Sequence, residues 1–463
     1  MTPGTIDRVL SFANADMSQA IAAWSAFLRI PSISAQPAHA ADCRRAAAWA
    51  RERLAALGFD ATLHETAGHP VVLAQHPGPG GDVPHLLYYG HYDVQPPEPL
   101  ELWPSPPFTP TIVDGPRGKR MVARGAVDDK GQVAAWLGAF AAWHATTGGL
   151  PVRLTVLLEG EEEIGSPHLE PFLLAERARL KADAAVISDT NLWDFATPAI
   201  TTGLRGLLYV EIRAQAAARD LHSGLFGGVA CNPINELVQA LGALRDAAGR
   251  VQIPGFYEGV APLSPERAAQ WAALGLDTGA FLGSVGLTTP AGEAGRGVLE
   301  RLWARPTADL NGIWGGYAGT GAKTVIPAEA GAKISFRLVP GQNPEAIFAA
   351  FRAFMAARVH PDLKLTFTSF GAAPGIEVPT DLPVVAAARQ ALAEEFSRPP
   401  VLTGCGASIP VVESLHRVLG LDTLLMGFGL DDDQIHSPGE KFEIACFERG
   451  LRSHIRLLGH LGA

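Results

Sequence analysis

The chain has 463 residues, 47% hydrophobic and 18% charged, enough to bury more than one large core. A net charge of −10 with no Lys/Arg run argues against a nucleic-acid or anionic-membrane surface. No stretch reaches the roughly 20 apolar residues of a membrane span, the N-terminal residues lack a signal-peptide pattern, and Cys43, Cys231, Cys405 and Cys446 are scattered with no Cys-x-x-Cys pair, so a soluble cytoplasmic protein with reduced thiols is expected.

Residues 18–30 place Ile21, Trp24, Phe27 and Leu28 on one helical face, stopped by Pro31. A second helix is predicted over 42–57, with Ala46, Trp49, Ala50 and Leu57 inward and Gly58 as its C-terminal stop. Strands over 71–75 and 85–89 flank the turn at Pro77-Gly-Pro-Gly-Gly. A helix over 130–144, an apolar strand over 152–158, a helix near 169–179 and a strand over 184–187 continue the alternation. Strands alternating with helices imply an α/β domain with a mostly parallel sheet covered on both faces.

From 207 the pattern changes. Leu208, Val210 and Ile212 alternate with Tyr209 and Glu211, as in a half-exposed strand. Asn232-Pro233 and Asn343-Pro344 each open a helix with a capping residue followed by proline. Further strands are expected near 314–317, 334–338 and 365–370, giving β-α-β-β-α-β, a ferredoxin-like α+β module inserted in the first domain. Residues 250–310 read as mixed helix and loop without a clear order. From Pro383 the helix–strand alternation resumes, with a strand at 423–426. The expected division is therefore 1–203 plus 376–463 for the α/β domain and 204–375 for the insert.

Acidic and imidazole residues recur in short settings, most of them where an apolar run stops. They are His91 and Asp93 in Gly90-His-Tyr-Asp-Val, Asp128 in Arg124-Gly-Ala-Val-Asp-Asp-Lys-Gly, and Glu162 and Glu163 in Glu159-Gly-Glu-Glu-Glu. Asp189 follows in Ile187-Ser-Asp-Thr, and His436 in Ile435-His-Ser-Pro-Gly-Glu440. Open α/β sheets collect ligands beyond the carboxyl ends of their strands. Two imidazoles and three carboxylates, with a Glu and an Asp in supporting roles, suit a two-metal hydrolase. Adjacent Glu162 and Glu163 cannot point the same way in an extended segment, so one can bind metal while the other serves as general base. Asp93, two residues from His91, is placed to hold the other imidazole nitrogen. Taken singly, each motif has a plainer reading: a hydrogen-bonded histidine, a solvated acidic loop, or a helix N-terminal pair at Asp128-Asp129. Asp431-Asp-Asp reads as a solvated loop, with a supporting role beside His436 as the alternative.

These segments resemble the M20 family of metallopeptidases, in particular its dipeptidase branch. The likeness runs from Ile30-Pro-Ser-Ile-Ser through Asp220-Leu-His-Ser-Gly-Leu-Phe-Gly-Gly and Gly321-Ala-Lys-Thr-Val-Ile-Pro to the His436 motif. The resemblance implies Asp128 as bridging ligand, His91 with Asp189 on one metal, and Glu163 with His436 on the other. It also implies Glu162 as general base to a metal-bridged water, Asp93 as the His-orienting carboxylate, and Asp128–Asp129 as a candidate cis peptide. The metals expected are two divalent ions, zinc first, with manganese and cobalt as alternatives. The family further implies a homodimer formed through the inserted lid domain, with His222 reaching the partner's site to polarise the scissile carbonyl. Arg337 would bind the substrate's terminal carboxylate, with Thr324 and Ser408 lining the same pocket.

Four departures bear on substrate. Gly404 stands where the family often has Arg, Ala407 replaces a Gly, and Gly439 precedes Glu440 where Asn is common. A His frequent in related dipeptidases has no counterpart near 379–383. The leading expectation is a broad-specificity dipeptidase. An N-acyl-amino-acid amidohydrolase using the same site, and a non-catalytic peptide-binding relative, are the alternatives.

Overall fold

The computed structural model describes residues 4–463. The chain forms two compact units: the residues up to Thr202 with Val378–Thr403 and Ser414–Ala463, and Gly203–Glu377 with Gly404–Glu413. The segment 404–413 thus belongs to the second unit, whereas the sequence places it in the first. Within that unit Arg205 Nε donates to Gly406 O (2.9 Å), and Ser408 Oγ donates to Arg205 O (2.6 Å).

In the first unit, β1 (Asp60–His64), β2 (Val71–His76), β6 (Arg153–Glu159), β3 (His85–His91), β7 (Ala184–Ile187), β17 (Thr423–Leu425) and β8 (Ala199–Leu204) lie side by side in that order. The β6-β3-β7-β17 centre is parallel, as predicted, and antiparallel pairs close both edges. A short sheet unmarked by the sequence pattern joins β18 (Lys441–Glu443), β5 (Gly118–Val122) and β4 (Thr111–Gly115). β4 has no buried position, and β5 opens with the exposed pair Gly118-Lys119, so the sequence carries little period-2 signal there.

The helix Lys130–Thr147 is buried almost all round, with Trp136, Phe140 and Trp143 in the core. A helix without a polar face belongs inside a protein. It packs with the helices Thr5–Leu28 and Ile444–Leu461 in one continuous apolar core. The first helix begins well before the predicted 18, because Val9, Leu10 and Ala13 extend its buried stripe. Lys130 is wholly buried, and its amine donates to Ile30 O (2.6 Å) and Phe27 O (3.3 Å), pinning the turn that follows the first helix.

In the second unit, β11 (Thr307–Gly315), β13 (Glu329–Leu338), β9 (Gly206–Gln215) and β14 (Lys364–Ala373) form an antiparallel sheet in that order. The helices Pro233–Gly242 and Pro344–Ala356 pack against it, each started by the expected Asn cap. Strand and helix order is that of a ferredoxin-like module. Short helices at Pro265–Ala273, Thr278–Gly283 and Val298–Trp303 fill the stretch the sequence left unordered. A two-residue β10 (Leu221–His222) pairs with β12 (Val325–Ile326).

Candidate metal centre

Parallel strands end together, and their polar tips meet. His91 closes β3, Glu162 and Glu163 form a short turn after β6, and Asp189 follows β7. Asp128 lies in the loop before the central helix, and His436 in the loop between β17 and β18. His91 Nε2 lies 3.1 Å from Asp128 Oδ1, while His436 Nε2 lies 3.0 Å from Asp128 Oδ2 and 3.2 Å from Glu163 Oε2. The two oxygens of Asp128 are thus addressed by different imidazoles, the disposition a bridging carboxylate needs. His91, Asp128 and Glu163 can each point one ligand atom into a common space, all within 4.8 Å of one another, and could hold a metal ion. The donors are nitrogen and oxygen, which fits a divalent zinc, manganese or cobalt ion.

Asp93 is fully buried, with Oδ1 3.3 Å from His91 Nδ1. The same carboxylate accepts from Glu162 N (3.3 Å) and Glu163 N (3.1 Å), so it caps the glutamate turn, while the Asp93 carbonyl lies 3.1 Å from His91 Nδ1. Asp129, joined to Asp128 by a cis peptide, accepts from His91 N (3.2 Å). Gln95 Nε2 donates to Glu163 Oε2 (2.8 Å).

Charge here is lopsided. Burial, offset by His91 and reinforced by Asp189, Asp128 and Glu163, pushes the Glu162 carboxyl well above the usual range. Burial and the charge of Asp128 lift Asp189 to about 7. Asp128 is held below its ordinary value, against its burial, by its bonds to His436 and His91. The carboxylate contacts in turn raise His436 to about 10. His436 also has φ 61°, in the left-handed region that costs a non-glycine residue about 1–3 kcal/mol and recurs at functional sites.

The remaining predicted residues lie in the second unit. Arg337 Nη1 donates to Ser408 Oγ (3.1 Å). Thr324 is exposed, and its carbonyl accepts from Ser223 N (3.1 Å). His222 is exposed, with Nδ1 accepting from Gly224 N (3.0 Å).

Two departures acquire a physical reason. Gly439 has φ 85°, which glycine and asparagine both tolerate. A Cβ on Gly404 would stand 2.6 Å from Trp303 Cβ, so any side chain there would require this tryptophan to shift. Within Asp431-Asp-Asp the first two residues are exposed as in a solvated loop, but Asp433 follows the alternative: it is fully buried, receives Lys441 Nζ at 2.6 Å, and anchors the His436 loop through Leu430 N (2.7 Å). Sequence reasoning missed this pair because Asp433 and Lys441 meet only when the loop folds back.

The family model for peptidase family M20/M25/M40 matches residues 87–460. The human Beta-Ala-His dipeptidase is 34% identical over 379 residues, covering 80% of this chain and 73% of its own length. The Cys-Gly metallodipeptidase DUG1 of Candida albicans is 32% identical over 375 residues, 80% of this chain and 76% of its own. Among solved structures, the M20 family metallo-carboxypeptidase Sso-CP2 from Sulfolobus solfataricus superposes with a TM-score of 0.85 at 29% identity, over 96% of this chain and 99% of that one.

Proposed function

The chain belongs to peptidase family M20/M25/M40, and from that premise we propose that it is a two-metal dipeptidase of broad specificity. The observation that carries the reading is Asp128, whose two oxygens face His91 and His436 with Glu163 alongside. Asp128 would bridge the ions, with His91 and Asp189 completing one set and Glu163 and His436 the other. When bound, two divalent ions (zinc first) supply Lewis acidity that polarises the scissile carbonyl and acidifies water.

The chain's own groups do the rest. Glu162, whose raised pKa suits it to hold a proton, takes one from the attacking water and delivers it to the leaving amine. Asp93 keeps His91 in the orientation that presents Nε2 to the centre. Arg337, steadied by Ser408, is proposed to take the terminal carboxylate, with Thr324 in the same subsite.

We assign the catalytic role to 1–203 with 376–463 and a dimerising role to 204–375. Support for a homodimer comes from β11, an edge strand exposing Leu310, Ile313 and Trp314. His222 of one subunit would then donate to the carbonyl oxygen held by the other. The similar proteins of human and Candida, named for Beta-Ala-His and Cys-Gly, favour free dipeptides as substrates. The Trp303 contact at Gly404 favours a changed substrate pocket, and with it the alternative of N-acyl amino acids.

Metal-reconstituted protein assayed against free dipeptides, N-acyl amino acids and tripeptides separates these readings. Turnover confined to free dipeptides is expected. Preference for acyl-amino acids would replace the substrate class, and no turnover at full metal occupancy would leave a peptide-binding protein.

A further inference from the structure

The Glu440 carboxylate lies outside the ligand set, is fully buried, and is saturated with donors. Its Oε2 accepts from Arg124 Nη1 (2.8 Å) and Gly125 N (2.9 Å), and its Oε1 from Val127 N (3.0 Å) and Asp128 N (3.2 Å). All four donors belong to the loop that carries Asp128. A carboxylate offers four acceptor sites and no donor, so the match is complete. Glu440 also lies four residues after His436, and its own carbonyl accepts from Ala123 N (3.1 Å). Arg124 is itself fixed, with Nη2 donating to Pro96 O (3.2 Å) and its guanidinium over the Trp103 ring.

We propose that Glu440 is a positioning residue for the metal centre: it ties the Asp128 loop to the His436 loop, so that Asp128 presents one oxygen to each side. The inference rests on the two-metal reading above. The backbone N–H groups of Gly125, Val127 and Asp128 sit in an irregular buried loop where no strand or helix partner satisfies them. Leaving them unpaired is costly, and the loop would move to find other acceptors. Metal ligands tolerate misplacement of only about 0.5 Å. Displacement of the Asp128 backbone is therefore felt first as lost metal affinity.

Glu440→Gln tests this, because it keeps the shape of the side chain. An amide offers one acceptor oxygen, so an NH2 group would confront two of the four donors. Cobalt(II) titration of the metal-free protein, followed by visible absorption, should show about 10- to 100-fold weaker binding. At saturating metal, kcat should fall with KM little changed. Arg124→Lys, which removes one forked donor and keeps the charge, should weaken cobalt binding by a smaller factor and serves if the first variant does not fold. Phe336→Leu, in the core of the second unit, controls for a general loss of stability and should leave cobalt binding intact. If Glu440→Gln lowers the urea midpoint but binds cobalt with unchanged affinity and spectrum, the proposal is overturned and Glu440 is a structural brace alone. Because the readout is metal binding, a parent protein that binds cobalt but cleaves no dipeptide would sink the dipeptidase reading without touching this one.

Discussion

His454 sets an acid limit on the first unit. Its imidazole is fully buried against the Tyr88 and Phe428 rings, with Nδ1 3.1 Å from Tyr88 Oη and Nε2 3.1 Å from Ser188 Oγ. Burial lowers its pKa from 6.5 to about 3. The folded chain therefore declines a proton that the unfolded chain accepts, and the unfolded state binds more protons between those two values. This group's stabilisation is intact above pH 6.5 and is lost progressively as pH falls toward 3. Between pH 7.5 and 5.0 the loss comes to about 2 kcal/mol. His454→Gln keeps a donor and an acceptor for Tyr88 and Ser188 but does not titrate. Urea unfolding of the metal-free proteins at both pH values should show the parent losing about 2 kcal/mol more than the variant. Equal acid sensitivity in the two proteins would refute the reasoning. The matter reaches the site, since Ser188 immediately precedes Asp189.

Replacing Glu162 with Gln should reduce kcat by about 10²- to 10⁴-fold while metal content, read by elemental analysis, stays at the parent level; an active metal-replete variant removes Glu162 from the proton-transfer role. His222→Ala should lower kcat with little change in metal content or in sedimentation. Mixing His222→Ala with Glu162→Gln chains should restore turnover, and its absence after verified subunit exchange argues against a site shared between subunits. Gly404→Ala should cost about 1–3 kcal/mol in thermal unfolding, because its Cβ would press on Trp303; an unchanged melting temperature would mean that the tryptophan yields freely.

The fold was legible where burial imposes a period. The strand Ala184–Ile187 is buried at every position and was predicted with these bounds, and the helix predicted over 130–144 is found at Lys130–Thr147. The Asn-Pro starts were legible because capping is chemistry local to three residues. The β4–β5 hairpin was not: β4 has no buried position, β5 is buried only at Met121 and Val122, and β5 pairs with β18, over 300 residues downstream. The transfer of 404–413 to the second unit was equally hidden, since it depends on Arg205 reaching Gly406, 201 positions away.

The same contrast divides the site itself. The proposed ligands were readable because each sits in a motif of a few residues at a strand end, where topology brings polar tips together whatever the loops do. What holds those ligands in place is spread across the chain. Glu440 meets the Asp128 amide across 312 positions, and Lys130 meets the Ile30 carbonyl across 100. A carboxylate with four donors and an amine on two carbonyls leave no periodic trace, because each is defined by its partners and not by its neighbours in sequence. Composition hints at such residues only in reverse: a Lys inside an apolar helix, or an acid just beyond a left-handed glycine, breaks the local pattern and so asks for a distant partner. Lys130 and Glu440 are breaks of this kind, and both prove to be fully buried and partnered across the chain.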